Sequence, residues 1–147
     1  MKPSLVINLM SACNMDCDYC PEGGENLQKC DTLCDISQIK YLLTAYANYY
    51  KEKRWTEKEV VRITGGEPLL DFERLSETLH HAKLESYEKV VLCTNGLLLK
   101  QCYENNSIVW EEIKDVLLLK ISLDTLKPQV FKDLTGVDEL RTVLENI

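Results

Sequence analysis

The chain has 147 residues, a 45% apolar fraction and a net charge of −7 from 24 acidic and 17 basic side chains. Such length and composition fit one globular domain and exclude a disordered chain, while the acidic balance argues against a nucleic-acid footprint, which needs a basic stripe. No apolar run approaches the roughly 18 residues of a membrane span, and Met1-Lys2-Pro3-Ser4 leads into a short strand-like run rather than a signal peptide.

The first predicted element is a strand over 4–9, carried by Leu5-Val6-Ile7-Asn8-Leu9. Cys13, Cys17 and Cys20 follow at once, spaced C-x3-C-x2-C. Four cysteines saturate an electron-transfer cluster. Three thiolates on a loop leaving a strand can hold three corners of an iron–sulfur cubane, and the open position left over implies chemistry. The same spacing serves a zinc knuckle closed by Cys30 or Cys34. Asn14, Asp16 and Asp18 are small polar residues suited to turn the loop and aim backbone N–H groups at sulfides, and Pro21 prevents a regular helix from starting at once. Seven cysteines without a secretion signal favour metal binding over disulfides, hence a reducing, cytoplasmic setting. Cys30 and Cys34, at C-x3-C, offer a further metal only two ligands.

A helix is predicted over Ile36–Lys53, where Ile36, Ile39, Leu42, Leu43, Tyr46, Ala47 and Tyr50 recur at helical spacing; Asp35 or Ser37 can cap it. The second strand, over 59–64, runs into Arg62-Ile63-Thr64-Gly65-Gly66-Glu67-Pro68. Gly65 and Gly66 permit positive φ and close approach to a ligand, although an ordinary turn reads the same way. The next helix runs from Phe72 to about Leu84 with Leu75, Leu79 and Ala82 inward. Its adjacent His80 and His81 cannot share a face and read as surface residues.

The third strand, 89–94, leads into Thr94-Asn95-Gly96, where Asn95 suits a turn. Cys93 reads as core and Cys102 as a helix-face residue. Asn105-Asn106-Ser107 caps a short helix over Ile108–Lys114. The fourth strand, 116–123, brings Ser122 and Asp124 to one side and Ile121 and Leu123 to the other. Pro128 opens a last helical segment, which Gly136 interrupts before Glu139–Ile147 resumes. The order is α/β, a parallel (βα)4 arrangement with its motifs at the carboxyl edge of the sheet, where such folds place ligands. Its fourth strand leaves an open edge that favours self-association.

The cysteine loop and the GGEP segment together resemble the radical S-adenosylmethionine (SAM) superfamily, in which three cysteines bind a 4Fe–4S cluster and SAM chelates the fourth iron through its amino and carboxylate groups. RITGGEPLL (62–70), TNGLLL (94–99) and ISLDTLKPQVFKDLTG followed by VLENI (121–147) look like its GTP 3′,8-cyclase branch, from molybdenum-cofactor biosynthesis. The resemblance implies the first four of about six βα units of a partial TIM barrel. Residues 1–147 would then be the amino-terminal part of a radical SAM core, ending within a helix at Leu144-Glu145-Asn146-Ile147 without a capping signal.

By that resemblance Cys13, Cys17 and Cys20 are cluster ligands, and Gly66, Glu67 and Pro68 accept hydrogen bonds from the SAM amino group. Tyr19 matches a position whose ring packs near the adenine, or is a plain loop aromatic. Thr94 and Asn95 are candidates for SAM or substrate, and Ser122 and Asp124 for the ribose hydroxyls and amino-acid portion of SAM. In the family a reduced cluster passes one electron to the sulfonium, and the resulting 5′-deoxyadenosyl radical abstracts a substrate hydrogen. No general base is needed. The implied partners are a small-molecule or peptide substrate and a single-electron donor such as flavodoxin or ferredoxin, with no nucleic acid or membrane. A non-catalytic zinc or iron–sulfur module, or an inactive fragment needing a second chain, stands as the alternative.

Several positions depart from the cyclase branch. Val6 stands where that branch has an arginine, Met10-Ser11-Ala12 where it has Thr-Asp-Arg, and Val60 where it has a lysine; Arg62 alone remains of the basic set. Triphosphate recognition depends on cationic groups, so these departures bear on GTP as substrate. The branch's second cysteine cluster and glycine-rich tail are also missing from the sequence.

Overall fold

The computed structural model describes residues 4–20, 34–53, 60–114 and 117–147, and in it four strands form one parallel sheet. They are β1 (Leu5–Asn8), β2 (Val60–Thr64), β3 (Lys89–Thr94) and β4 (Leu117–Ile121), side by side in chain order. Ile7 pairs with Ile63, Ile63 with Leu92 and Leu92 with Leu119 across the ladder. Pro21 and Cys30, with the expected strand starts at Glu59 and Val116, lie outside the described residues.

Strand periodicity gives this sheet two unlike faces. Ile7, Val61, Ile63, Val90 and Leu92 are buried in the main core. The alternate positions Val6, Asn8, Arg62 and Lys120 are exposed on the other side.

The core face is covered by α1 (Ile36–Lys53) and α2 (Phe72–Leu84). Asp35 starts α1: its Oδ1 accepts from Gln38 N at 2.9 Å, and Gln38 Oε1 accepts from Asp35 N at 2.9 Å. Ser37 donates its hydroxyl to the same Asp35 oxygen and supports the cap. The buried stripe of α1 is Ile39, Leu43, Ala47 and Tyr50, with Leu42 off it and exposed. On α2 the stripe is Leu75, Leu79 and Ala82, joined by Thr78, whose hydroxyl donates to Arg74 O. Each buried leucine here contributes about 1.5–3 kcal/mol. Tyr87 fastens α1 to the start of β3 by donating its hydroxyl to Leu43 O at 2.7 Å.

His80 is exposed, but His81 is not a surface residue. Its Nε2 lies 3.0 Å from Thr44 Oγ1 and 3.6 Å from Glu85 Oε1, half-buried between α1 and α2. Neighbouring helical residues point about 100° apart, so one histidine reaches solvent and the other the interface.

The helical region between β3 and β4 is two helices, α3 (Leu99–Asn105) and α4 (Ser107–Ile113). Asn106 precedes α4 without capping it through its side chain. Its Nδ2 donates instead to Cys102 O at 3.0 Å, which also receives Trp110 Nε1 at 3.2 Å, so the amide closes the end of α3. Cys102 is buried, with its thiol toward Leu69 O.

Pro128 occupies the first turn of α5 (Pro128–Thr135), and Gly136, at φ 72°, ends it by donating its N–H to Lys132 O. At the end of α6 (Leu140–Asn146), Asn146 Nδ2 donates to Gly96 O and Leu97 O at 2.9 and 2.8 Å. Phe131, Leu140 and Val143 bury a second core together with Met15 of the cysteine loop. Among the described residues no helix is long and apolar enough to cross a membrane.

Candidate functional site

The cysteine loop is held on both sides by backbone hydrogen bonds. Leu9 N donates to Thr64 O, which carries the β1–β2 ladder one step past the strand. Gly66 N then donates to Met10 O at 2.7 Å and Glu67 N to Ala12 O at 2.8 Å. Gly65 has φ 129°, and a Cβ there would lie 2.4 Å from Met10 O; a Cβ on Gly66 would lie 1.9 Å from Ala12 O. The glycines therefore let two backbones touch. What the sequence suggested as close approach to a ligand is, for both residues, close approach to the cysteine loop, and only Gly65 uses a positive φ.

On the other side Asp16 N donates to Thr135 O at 2.9 Å and Asp18 N to Leu134 O at 3.1 Å. The sequence reading aimed these N–H groups at sulfides. They instead satisfy carbonyls left free at the C-terminal end of α5, and Gly136 leaves room for Asp16, whose Cβ and O would each lie 3.0 Å from a Cβ there. Met15, just before the first of these bonds, is buried in the second core.

Glu67 is 0% exposed and is turned away from solvent. Its Oε1 accepts from Leu69 N at 3.0 Å and Thr94 Oγ1 at 2.8 Å, and its Oε2 accepts from Asn95 N at 2.7 Å. Burial lifts its carboxyl above the usual range, against the lowering effect of those three donors. The carboxylate ties the end of β2 to the end of β3. Asn95 extends the tie to the loop, with Nδ2 donating to Asn14 Oδ1 at 2.7 Å and Oδ1 accepting from Leu97 N at 3.0 Å.

A cleft of about 180 Å³ opens at the carboxyl ends of the strands. Cys13, Cys17, Cys20, Tyr19, Gly66, Thr94, Asn95, Ser122 and Asp124 all line it. Glu67 and Pro68 do not; both are buried behind its wall. Thr94 borders the cleft with its hydroxyl committed to Glu67. Tyr19, 55% exposed, spans the mouth by donating its hydroxyl to Asp124 Oδ2 at 2.6 Å. That bond, followed by burial, raises the phenol well above its usual range. Burial also raises the Cys13 and Cys17 thiols, opposed by hydrogen bonds from the Met15 backbone and from Tyr19 respectively.

Cys93 corrects the core assignment. It is half-buried and lines the cleft, as does Thr64. Period-two counting carries the signal for both: Cys93 is out of phase with the core residues Val90 and Leu92, and Thr64 with Val61 and Ile63. Phe131 and Thr135 also line the cleft from α5, a contact no local pattern announces. Among the described residues, no three His, Cys, Asp or Glu side chains converge closely enough to hold a single metal ion.

The family model described as Radical SAM superfamily matches residues 7–147. A GTP 3′,8-cyclase of Haemophilus ducreyi is 32% identical over 146 residues, covering 97% of this chain and 39% of that protein. One of Limosilactobacillus fermentum is 33% identical over 144 residues, covering 96% of the chain and 39% of the relative. The chain thus spans about 39% of the length of the curated relatives it matches. The structure of histidine-tagged anSMEcpe with bound AdoMet superposes with a TM-score of 0.68 at 22% identity, covering 97% of this chain and 38% of that one. Native anSMEcpe with bound AdoMet gives 0.62 at 21% identity over 97% and 39%. At such identities these neighbours speak to the fold: α/β, with the parallel (βα)4 sheet as part of a partial TIM barrel.

Proposed function

The chain belongs to the radical SAM superfamily, and on that premise we propose that Cys13, Cys17 and Cys20 hold a 4Fe–4S cluster beside bound SAM, for hydrogen abstraction from a substrate. One observation carries the reading: Cys13, Cys17 and Cys20 line a single cleft at the carboxyl ends of the strands, within residues 7–147 that match the family model. The six described cysteines are all free thiols, which suits a reducing compartment, the cytoplasm.

When bound, cluster and SAM together supply a 5′-deoxyadenosyl radical that takes a hydrogen atom from carbon. The chain's own residues bind and orient. Cys13 and Cys17 give up protons that burial makes harder to lose, so ligation releases protons to solvent. Gly66 presents strand-end backbone to the SAM amino group, with Glu67 and Pro68 fixed behind it as positioning residues. Asn95 holds the loop at Asn14, and Thr94 holds Glu67. Ser122 and Asp124 face the ribose and amino-acid portions of SAM, with Tyr19 bonded across to Asp124. The implied partners are a single-electron donor such as flavodoxin or ferredoxin and a small-molecule or peptide substrate.

Anaerobic reconstitution with iron and sulfide, followed by electron paramagnetic resonance with and without SAM, tests this. About four irons per chain are expected, with a reduced-cluster signal that SAM alters and Cys17→Ala abolishes. A zinc-loaded protein without that signal overturns the reading.

A further inference from the structure

Asn95 has every polar atom of its side chain engaged inside the protein. Its Oδ1 accepts from Leu97 N at 3.0 Å, while its Nδ2 donates to Asn14 Oδ1 at 2.7 Å and to Cys13 Sγ at 3.8 Å. A backbone N–H can only donate, so Leu97 fixes which end of the amide carries the oxygen, and both N–H groups must face the cysteine loop. One goes to Asn14 and the other to the sulfur. The main chain is held as firmly: Asn95 N donates to the buried Glu67 carboxylate at 2.7 Å, and Gly96 N donates to Thr94 Oγ1 at 3.1 Å. The donor is thus in place before any ligand arrives.

The three thiols of the cleft are not alike in this respect. Among the described residues, Cys13 alone of the three receives a side-chain N–H. Cys17 lies beside the Tyr19 hydroxyl, but the single proton of that hydroxyl goes to Asp124 Oδ2 at 2.6 Å. Holding the loop accounts for the bond from Asn95 to Asn14 and for the turn bond from Leu97, and it leaves the second N–H unexplained.

That second N–H acquires a purpose when Cys13 is a ligand. The 3.8 Å contact is the long one of a neutral thiol. Ligation removes the thiol proton, and hydrogen bonds to an ionised acceptor are shorter and about twice as strong as neutral ones. Cys13 is half-buried, so the amide dipole acts on the sulfur with less screening than in water. Reduction adds negative charge to a cluster, and the positive end of a dipole at one of its sulfurs favours the reduced form. Hydrogen bonds to the sulfurs are among the protein's means of setting such a potential.

We propose that Asn95 is a positioning residue acting through Cys13: its second Nδ2–H bonds the ligating thiolate and holds the cluster's reduction potential above the value the same three cysteines give without it. The inference rests on the reading of Cys13 as a cluster ligand, and it names the side chain that regulates how readily the chain takes up its electron. It also leaves Asn95 no N–H for SAM.

Asn95→Asp tests it. The substitution keeps an oxygen for Leu97 N, lets the Asn14 amide turn its own N–H toward the new carboxylate, and replaces the donor facing Cys13 by an acceptor. The reconstituted chain, without SAM, is titrated against dyes of known potential and read by electron paramagnetic resonance. The ratio of reduced to oxidised cluster at a fixed potential should fall about tenfold, or about 59 mV for one electron. Asn14→Ala removes the loop tie alone, with Leu97 still orienting the amide, and should leave that ratio within about twofold. Wild type and Asn14→Ala, labelled with heavy-nitrogen asparagine, should both show a nitrogen coupled to the reduced cluster in pulsed resonance; this carries the test should Asn95→Asp fail to fold. An unmoved potential in Asn95→Asp, an equal fall in Asn14→Ala, or no coupled asparagine nitrogen in a loaded wild type overturns this inference and leaves the cluster reading standing. A wild-type chain that takes up no cluster overturns that reading and this inference with it.

Discussion

Replacing Gly66 by alanine is the most direct test of how the cysteine loop is held. The added Cβ would lie 1.9 Å from Ala12 O, 2.5 Å from Ala12 C and 2.6 Å from Ser11 O, where real Cβ contacts stay beyond 3.0 Å. Every one of these atoms is backbone, so no rotamer change relieves the clash and the loop must retreat by about 1.1 Å. That shift breaks or stretches Gly66 N to Met10 O and Glu67 N to Ala12 O. Each of the two bonds contributes about 0.5–1.5 kcal/mol and the overpacking costs about 1–3 kcal/mol, so a total loss of about 2–6 kcal/mol is expected. This is a large share of the roughly 5–15 kcal/mol that holds such a domain folded.

Urea denaturation followed by circular dichroism reads that loss, and iron bound after reconstitution reads the displacement of the thiols. Gly96→Ala is the comparison, since its Cβ would meet only side-chain methyls of Ile121 and Val143, at 3.2 and 3.3 Å. Its φ of 85° still adds about 1–2 kcal/mol of backbone strain, but the cysteine loop is untouched and iron binding should persist. A Gly66→Ala protein that loses less than about 1 kcal/mol and takes up iron normally would refute the claim that these glycines exist to admit the loop.

Other predictions follow from the same contacts. Because burial raises the folded pKa of Glu67 above its unfolded value, its contribution is full below the unfolded pKa and is lost as pH rises through the folded one; wild type should therefore lose stability relative to Glu67→Gln as urea midpoints are followed from pH 4 to 8, and parallel profiles would contradict this. Leu79→Ala empties a buried site between α2 and the sheet and should cost about 2–5 kcal/mol by the same assay. Tyr19→Phe deletes an exposed hydrogen bond, so it should change stability by no more than about 1 kcal/mol while weakening SAM binding measured by equilibrium dialysis; unchanged SAM affinity would remove Tyr19 and Asp124 from the cleft's binding groups.

What the sequence made legible was local. Helical spacing set α1 and α2 at their observed bounds, because an apolar stripe facing a sheet is the main source of their stability. Alternation put Ser122 and Asp124 on one side and Leu123 on the other, and the structure has the pair lining the cleft and Leu123 packed on the second core, although β4 ends at Ile121, short of the expected 123. Errors arose where one residue had two partners to choose between. Asn106 had an α4 terminus to cap and an α3 terminus to close, and Trp110 beside Cys102 O favoured the second. His81 was set on the surface with its neighbour His80 because the two cannot share a face, but Thr44 and Glu85 supply it with polar company between two helices. Cys93 was judged by residue type, where its phase along β3 was the better guide.

The cleft's construction also explains how the chain departs from the cyclase pattern at Met10-Ser11-Ala12 without losing the loop. The bonds that anchor this stretch use Met10 O and Ala12 O, and those across from it use Thr135 O and Leu134 O. None requires a particular side chain on the loop; the sequence requirement falls on Gly65 and Gly66, which must lack one, and on Glu67, which locks their turn to β3. Backbone therefore builds the wall from which Cys13, Cys17 and Cys20 line the cleft, and the exposed side chains of the open sheet face, Arg62, Lys89 and Lys120 among them, form none of the bonds that hold the loop. Similarity in the GGEP segment accordingly reports on how the cysteine loop is held and not on what the chain acts on.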